Sequence, residues 1–226
     1  MVEVAVICEG KTERLFCDEL LKPHLVPFDV SLDPIEIGID CLASGGNVTF
    51  RRILHDMQLL LADYEKVTTL VDFFRLGKGW TGISAVDAEM TSDQKACTVE
   101  KAALRDAETE LPQLDISSRF IPNVVMHEFE GLLFTDPTAI VEVTHARSAC
   151  EGLLAVAAEF QTPEDINTGR ESAPSKRLQH LGANYGKITH GVRIATAIGI
   201  DVIREKCPHF NRWLSVLESL GNAQAP

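Results

Sequence analysis

Two glutamates open the chemical reading of this chain. Glu9 and Glu13 stand four residues apart, on either side of Gly10-Lys11-Thr12, directly after the apolar run from Val2 to Cys8. A carboxylate held at a strand end can ligate a hard cation such as Mg2+ or transfer a proton, and the small Gly10 beside it permits close backbone approach. The plainer reading makes Glu13 a complement to the positive end of the following helix and Glu9 a solvated turn residue. Two more segments have the same acidic character: Val71-Asp72-Phe73-Phe74, with Asp72, and His127-Glu128-Phe129-Glu130, with Glu128 and Glu130. An extended segment puts Glu128 and Glu130 on one side, whereas a helical start brings His127 and Glu130 together. His127 also admits Zn, Mn or Fe, although one imidazole without a spaced partner is thin support for such a site.

Positive charge is concentrated at Ser175-Lys176-Arg177, near an expected helix start. Helix N-termini and guanidinium groups bind phosphate, and a lysine can stabilise a pentavalent phosphorane or a leaving oxyanion. Lys187, His190 and Arg193 are candidates to extend that patch; a solvated helix face explains the same residues equally well. Cys207, His209 and Trp213 invite a metal reading, but Pro208 followed by an apolar stripe is better explained as a helix start with a packed aromatic. The loop Ser44-Gly45-Gly46-Asn47 lacks the Lys-Ser/Thr ending of a phosphate-binding P-loop. Cys8, Cys17, Cys41, Cys97, Cys150 and Cys207 show no CxxC spacing and read as free thiols.

Several elements must hold the acidic positions together. Val2 to Cys8 is apolar and β-branched, as in a central parallel strand covered on both faces. The spacing of Phe16, Cys17, Leu20 and Leu21 predicts a helix, with Thr12 as N-cap and Pro23 at its end. Ile35, Ile37 and Ile39 alternate as in a half-buried or edge strand; a helix through Phe50, Ile53, Leu54, Met57 and Leu61 follows, then a strand from Val67 to Phe74. Residues Arg75 to Asp93 read as an irregular loop of the binding or lid kind. A helix from Val99 to Leu111 and a fourth strand from Arg119 to Met126 complete an α/β core over residues 1–135. Residues 136–226 read as a helical portion packed on that core, with helices expected at Ala139–Thr144, Ser148–Phe160, Ser175–Leu181, Ile188–Ile198 and Phe210–Leu220. The alternation argues for a doubly wound parallel sheet, in which sites gather beyond the carboxyl ends of the strands.

Composition narrows the partners. Asp and Glu number 33 against 21 Lys and Arg, a net charge of −12, so most of the surface repels nucleic acid. Any such substrate must meet a local basic patch, a bound metal or a basic partner. The acidic start Met1 to Gly10 fits neither a secretory nor an organellar leader, and no apolar stretch approaches the roughly 18 residues of a membrane span. The expectation is a cytoplasmic protein with no membrane association.

The segment Val6-Ile7-Cys8-Glu9-Gly10-Lys11-Thr12-Glu13 resembles the first motif of Toprim domains, found in topoisomerases, primases and nucleases of overcoming-lysogenization-defect type. His127-Glu128-Phe129-Glu130, Ala173-Pro174-Ser175-Lys176-Arg177-Leu178 and Cys207-Pro208-His209-Phe210 resemble motifs of a bacterial Toprim-like family of unknown function, so the resemblance spans nearly the whole chain. It implies a Toprim-like sheet flanked by helices, with Glu9 in acid/base chemistry or metal binding. It also implies an Asp-x-Asp pair at the third core strand, of which only Asp72 is present; Phe74 stands in the second place. The implied activity is Mg2+- or Mn2+-dependent phosphodiester cleavage by a nuclease of bacterial defence or repair. Glu9, Asp72, Glu128 and Glu130 would serve the metal, and Lys176 or Arg177 the transition state. The competing expectations are a regulatory or binding module that keeps the fold without cleavage and works with an ATPase partner, and a nucleotide-binding α/β protein with a ligand-sized pocket.

Overall fold

The computed structural model describes residues 1–38, 48–167, 169 and 172–222. The Ser44–Asn47 loop, Ile39 and Cys41 lie outside them. Five parallel strands, β1 (Val2–Cys8), β2 (Val30–Glu36), β3 (Lys66–Asp72), β4 (Phe120–Ile121) and β5 (Val124–Val125), are ordered β2-β1-β3, with β4 and β5 both on the far side of β3. The chain steps from β1 outward to β2, then returns past β1 to β3. The crevice between the ends of β1 and β3 is therefore the point at which the strand order reverses, where ligands of open α/β sheets bind.

Alternation along β1 builds a core on each face of the sheet. Val2, Val4, Val6 and Cys8 face one layer, with Phe16, Leu21, Ile194 and Leu214; Ala5 and Ile7 face the other, with Ile53, Met57, Val99 and Ala103. The helices are α1 (Lys11–Phe16), α2 (Lys22–Leu25), α3 (Phe50–Leu60), α4 (Ser92–Glu110), α5 (Ile116–Arg119), α6 (Glu130–Leu133), α7 (Pro137–Thr144), α8 (Cys150–Ala158), α9 (Pro174–His180), α10 (Lys187–Ile198), α11 (Ile200–Lys206) and α12 (Pro208–Asn222). The helices after α6 share the first core with β1, and the Trp213 indole N–H of α12 donates to the Thr68 hydroxyl of β3 at 2.8 Å. Among the described residues no helix is long and apolar enough to cross a membrane.

Local chemistry moves several expected boundaries. Gly10, not Thr12, is the N-cap of α1. A Cβ on Gly10 would meet only Glu13 Oε2, at 3.7 Å, so its small size is not what shapes the turn. Pro23 does not end the helical stretch: a π-turn over Cys17–Leu21, closed by Lys22 N–H to Cys17 O, precedes it and sets Pro23 in the first turn of α2, where its missing N–H costs little. The helix expected at Val99 begins at Ser92, because Thr91 and Gln94 form a reciprocal capping box. Within the expected loop, Trp80 is buried edge-on against Phe50, and Gly82 sits at φ +74° where a Cβ would meet that of Ala102 at 2.6 Å. The fourth strand is split by Pro122-Asn123 without losing register, because Thr69 and Asn123 exchange three hydrogen bonds of 2.7–3.1 Å across the gap. No expected helix corresponds to α11.

A buried carboxylate cluster at the strand crossover

β1 delivers Glu9 beyond its last residue, α1 turns Glu13 back over the same point, and β3 ends on Asp72. The backbone amide of Asp72 donates to Glu9 Oε2 at 3.1 Å, and Arg75 Nε donates to Glu9 Oε1 at 3.0 Å. Asp72 Oδ1 accepts the amide of Phe129 at 2.9 Å, which fixes the segment after β5 above the end of β3. That segment takes neither conformation weighed for it. His127 is left-handed at φ +63°, and α6 then starts at Glu130. This kink sends the two glutamates apart: Glu130 turns inward, 2% exposed, whereas Glu128 Oε2 accepts the Ser175 amide at the start of α9, at 3.1 Å.

Lys187, the first residue of α10, points its ammonium into the cluster. Nζ lies 3.1 Å from Glu13 Oε1, 3.4 Å from Asp72 Oδ2 and 3.9 Å from Glu130 Oε2. Gly191, one turn further along α10, makes this approach possible: a Cβ there would come within 2.9 Å of Tyr185 Oη, 3.2 Å of Phe129 and 3.4 Å of Thr12. Tyr185 Oη in turn donates to Glu130 Oε1 at 3.3 Å. Four carboxylates and one ammonium thus share a site that is buried beneath its opening. Burial raises Asp72 well above the usual carboxylate range, against the pull of Lys187 and with the help of Glu9, Glu13 and Glu130. Burial likewise raises Glu9 and Glu130. The same burial disfavours the Lys187 ammonium, but Asp72, Glu130 and Glu13 outweigh it and drive its pKa upward.

The cluster opens into a cavity of about 820 Å³ lined by Asp72, Glu128, Glu130 and Lys187, with Phe74, Arg75, Lys176 and Gln179 along its walls. Lys176 reaches the cavity, its Nζ 3.4 Å from Gln179 Oε1. Arg177 does not line it: the guanidinium donates to Ser172 O, pairs with Glu159 at 3.4 Å and lies 5.1 Å above the Phe160 ring. His190 accepts the Gly186 amide, and Arg193 is exposed. His127 is buried beside Phe73 and Phe74, its ring nitrogens 3.5 Å from Ser92 Oγ and 3.4 Å from Asn167 Nδ2; burial, aided by Lys95, lowers its pKa to about 4. It is a buried residue outside the cluster. His209 and Trp213 belong to the packed start of α12, and the five described cysteines are free thiols.

The donor set is that of a hard-cation site, since every donor is a carboxylate oxygen. Its present spacing is not: the oxygens stand 3.1–3.9 Å from an ammonium rather than meeting at the roughly 2.0–2.1 Å of Mg2+ ligation, and among the described residues no group of three or more acidic, His or Cys side chains is drawn tightly enough to hold an ion.

A parallel α/β sheet whose reversal point carries buried acids defines the class. The chain belongs to the family described as "Domain of unknown function (DUF4276)", whose profile matches residues 8–218 and so takes in all the acidic positions and Lys187. Among solved structures it is similar to the C-terminal region of the OLD protein of Xanthomonas campestris pv. campestris, at 15% identity and a TM-score of 0.41, over 98% of this chain and 96% of that one. No curated protein matches the chain.

Proposed function

We propose that this protein is a Toprim-type, Mg2+- or Mn2+-dependent enzyme that cleaves phosphodiesters, a nuclease of bacterial defence or repair acting in the cytoplasm. The observation that carries the reading is the convergence of Glu9, Glu13, Asp72 and Glu130 at the sheet's reversal point, beneath an open cavity. Charged groups are buried together at a cost to stability chiefly where chemistry uses them. Asp72 and Glu130, with Glu9 and Glu128 at the margin, are the residues that would hold a divalent cation, which when bound supplies positive charge to a phosphate and an acidified water. Glu9, raised by burial above the usual carboxylate range and bonded on one oxygen to Arg75, is the group suited to holding and releasing a proton. Lys176, Lys187 and Arg75 supply positive charge along the cavity, whereas Arg177 is turned towards Glu159 and Phe160.

A second reading has its own support. Lys187 already neutralises part of the cluster and Phe74 occupies the place of a second acid, as suits a binding or regulatory module working with an ATPase. Cleavage of a panel of DNA and RNA substrates by the full chain in Mg2+ and Mn2+ separates the two. The enzyme reading expects metal-dependent products that fall by about 100-fold or more in Glu9→Gln; no products in either metal, with or without an ATPase, leaves the regulatory reading.

A further inference from the structure

The Lys187 ammonium stands where a cation bound by these acids would stand. It is in reach of oxygens from three elements, α1, β3 and α6, and among the described residues has no closer partner elsewhere. Its side chain is 37% exposed and lines the cavity, so there is room on the solvent side for it to withdraw. Two of the acids it joins are held by other groups, Asp72 by Phe129 N–H and Glu130 by Tyr185, and the third, Glu13, is buried at 2% exposure. A divalent ion contacting Asp72 Oδ2 and Glu130 Oε2 would lie within a few ångströms of the ammonium and repel it, since both would draw on the same oxygens.

From this geometry we infer that Lys187 is a tethered cation that competes with the divalent metal: the acidic cluster accepts an ion only when the lysine swings out towards the cavity, where it meets the substrate's phosphate. The inference rests on the reading that the cluster takes a divalent cation, and extends it to how the site is kept closed. Without metal, the lysine supplies the charge that lets four acids remain buried together. With metal, it is released to the side from which a phosphate must approach. Metal binding and the provision of a phosphate-binding cation thereby become one event, in which an ammonium leaves oxygens that are then ligated, with no bond made or broken in the chain.

The experiment measures binding, not turnover. Mn2+ affinity of the full chain is read from the electron paramagnetic resonance signal of the free ion, for the unsubstituted protein, Lys187→Gln and Lys187→Gln combined with Asp72→Asn. Lys187→Gln should bind Mn2+ at least tenfold more tightly than the unsubstituted protein and show the larger metal-induced rise in Tm; the double variant should lose that gain. Equal or weaker binding by Lys187→Gln overturns the inference. Should Lys187→Gln fold only when Mn2+ is supplied, the ion has replaced the ammonium and the inference stands. Acetylation of Lys187 in the unsubstituted protein, read by mass spectrometry, provides an independent check. Saturating Mg2+ should increase it several-fold, and unchanged acetylation under those conditions overturns the inference, including where Lys187→Gln fails to fold in any condition. A tighter-binding Lys187→Gln in a protein that cuts no phosphodiester refutes the nuclease reading alone.

Discussion

Two buried charge assemblies differ in how completely they are satisfied. Around Glu164, both carboxylate oxygens accept backbone amides, those of His209 and Phe210 at 2.9 Å each, and the His209 ring lies 2.9 Å from Glu100. Around Lys187, one ammonium serves three acids at 3.1, 3.4 and 3.9 Å, and Glu9 adds a fourth negative group nearby. In the first assembly both Glu164 oxygens are bonded, which caps the start of α12. The second carries surplus negative charge and faces a cavity. A buried ion that is fully bonded by fixed donors serves the fold, whereas one left short of partners is held for something else to complete.

The largest effect should come from breaking the Glu164 assembly. Glu164→Ala strips both amides of their acceptor and is expected to cost about 3–4 kcal/mol in urea unfolding, with the Mn2+ affinity of the folded protein unchanged. A loss under 1 kcal/mol, or an altered metal affinity, would erase the distinction between the two regions.

His127 tests the border of the Lys187 assembly. The unfolded chain takes up a proton there near pH 6.5, whereas the folded protein resists until about 4. Its contribution is therefore complete above pH 6.5 and lost as pH falls towards 4, amounting to about 3 kcal/mol. His209 works in the opposite sense: Glu100 and Glu164 outweigh burial and raise its pKa, so its contribution is present below its unfolded pKa and fades as pH rises through the folded one. Subtracting the stability–pH curve of His127→Leu from that of the parent isolates the first effect. A flat difference between pH 4 and 6.5 would show that the imidazole is not held neutral.

Gly191→Ala should cost about 1–2 kcal/mol through overpacking against Phe129 and Tyr185 and should displace α10 enough to weaken the hold of Lys187. Mn2+ affinity should then rise, by less than in Lys187→Gln. The smallest effect on stability is expected for Glu9→Gln. Removing one of several crowded negative charges should leave Tm within about a degree or raise it slightly, since the lost bond to Arg75 is largely exposed and worth at most about 1 kcal/mol. A marked loss of stability would place Glu9 with the Glu164 assembly.

Much of the fold could be read because hydrophobic period is a local signal. Val2–Cys8 has the predicted bounds, and the parallel order follows from strands alternating with helices. The nearness of Glu9 and Asp72 could be expected because both stand at the ends of neighbouring strands. Lys187 stands one residue before the helix expected from Ile188, but nothing near it in sequence aims that helix start at acids contributed by α1, β3 and α6. Lys176 and Arg177 looked alike as neighbours, yet adjacent residues on a helix point about 100° apart, so one lines the cavity and the other binds Glu159 and Phe160. The kink at His127 escaped notice because a left-handed non-glycine residue is imposed by its surroundings rather than by its own preference.

The split outer strand has a consequence for how copies of this protein meet. β2 and the β4–β5 pair form the two rims of the sheet, and each rim carries a proline, Pro34 within β2 and Pro122 between β4 and β5. A proline offers no amide to an incoming strand, and the Thr69–Asn123 exchange keeps the interrupted rim in register from the inside. Neither rim is a continuous template for another chain, so the sheet resists edge-to-edge aggregation at high concentration while its crossover crevice stays open.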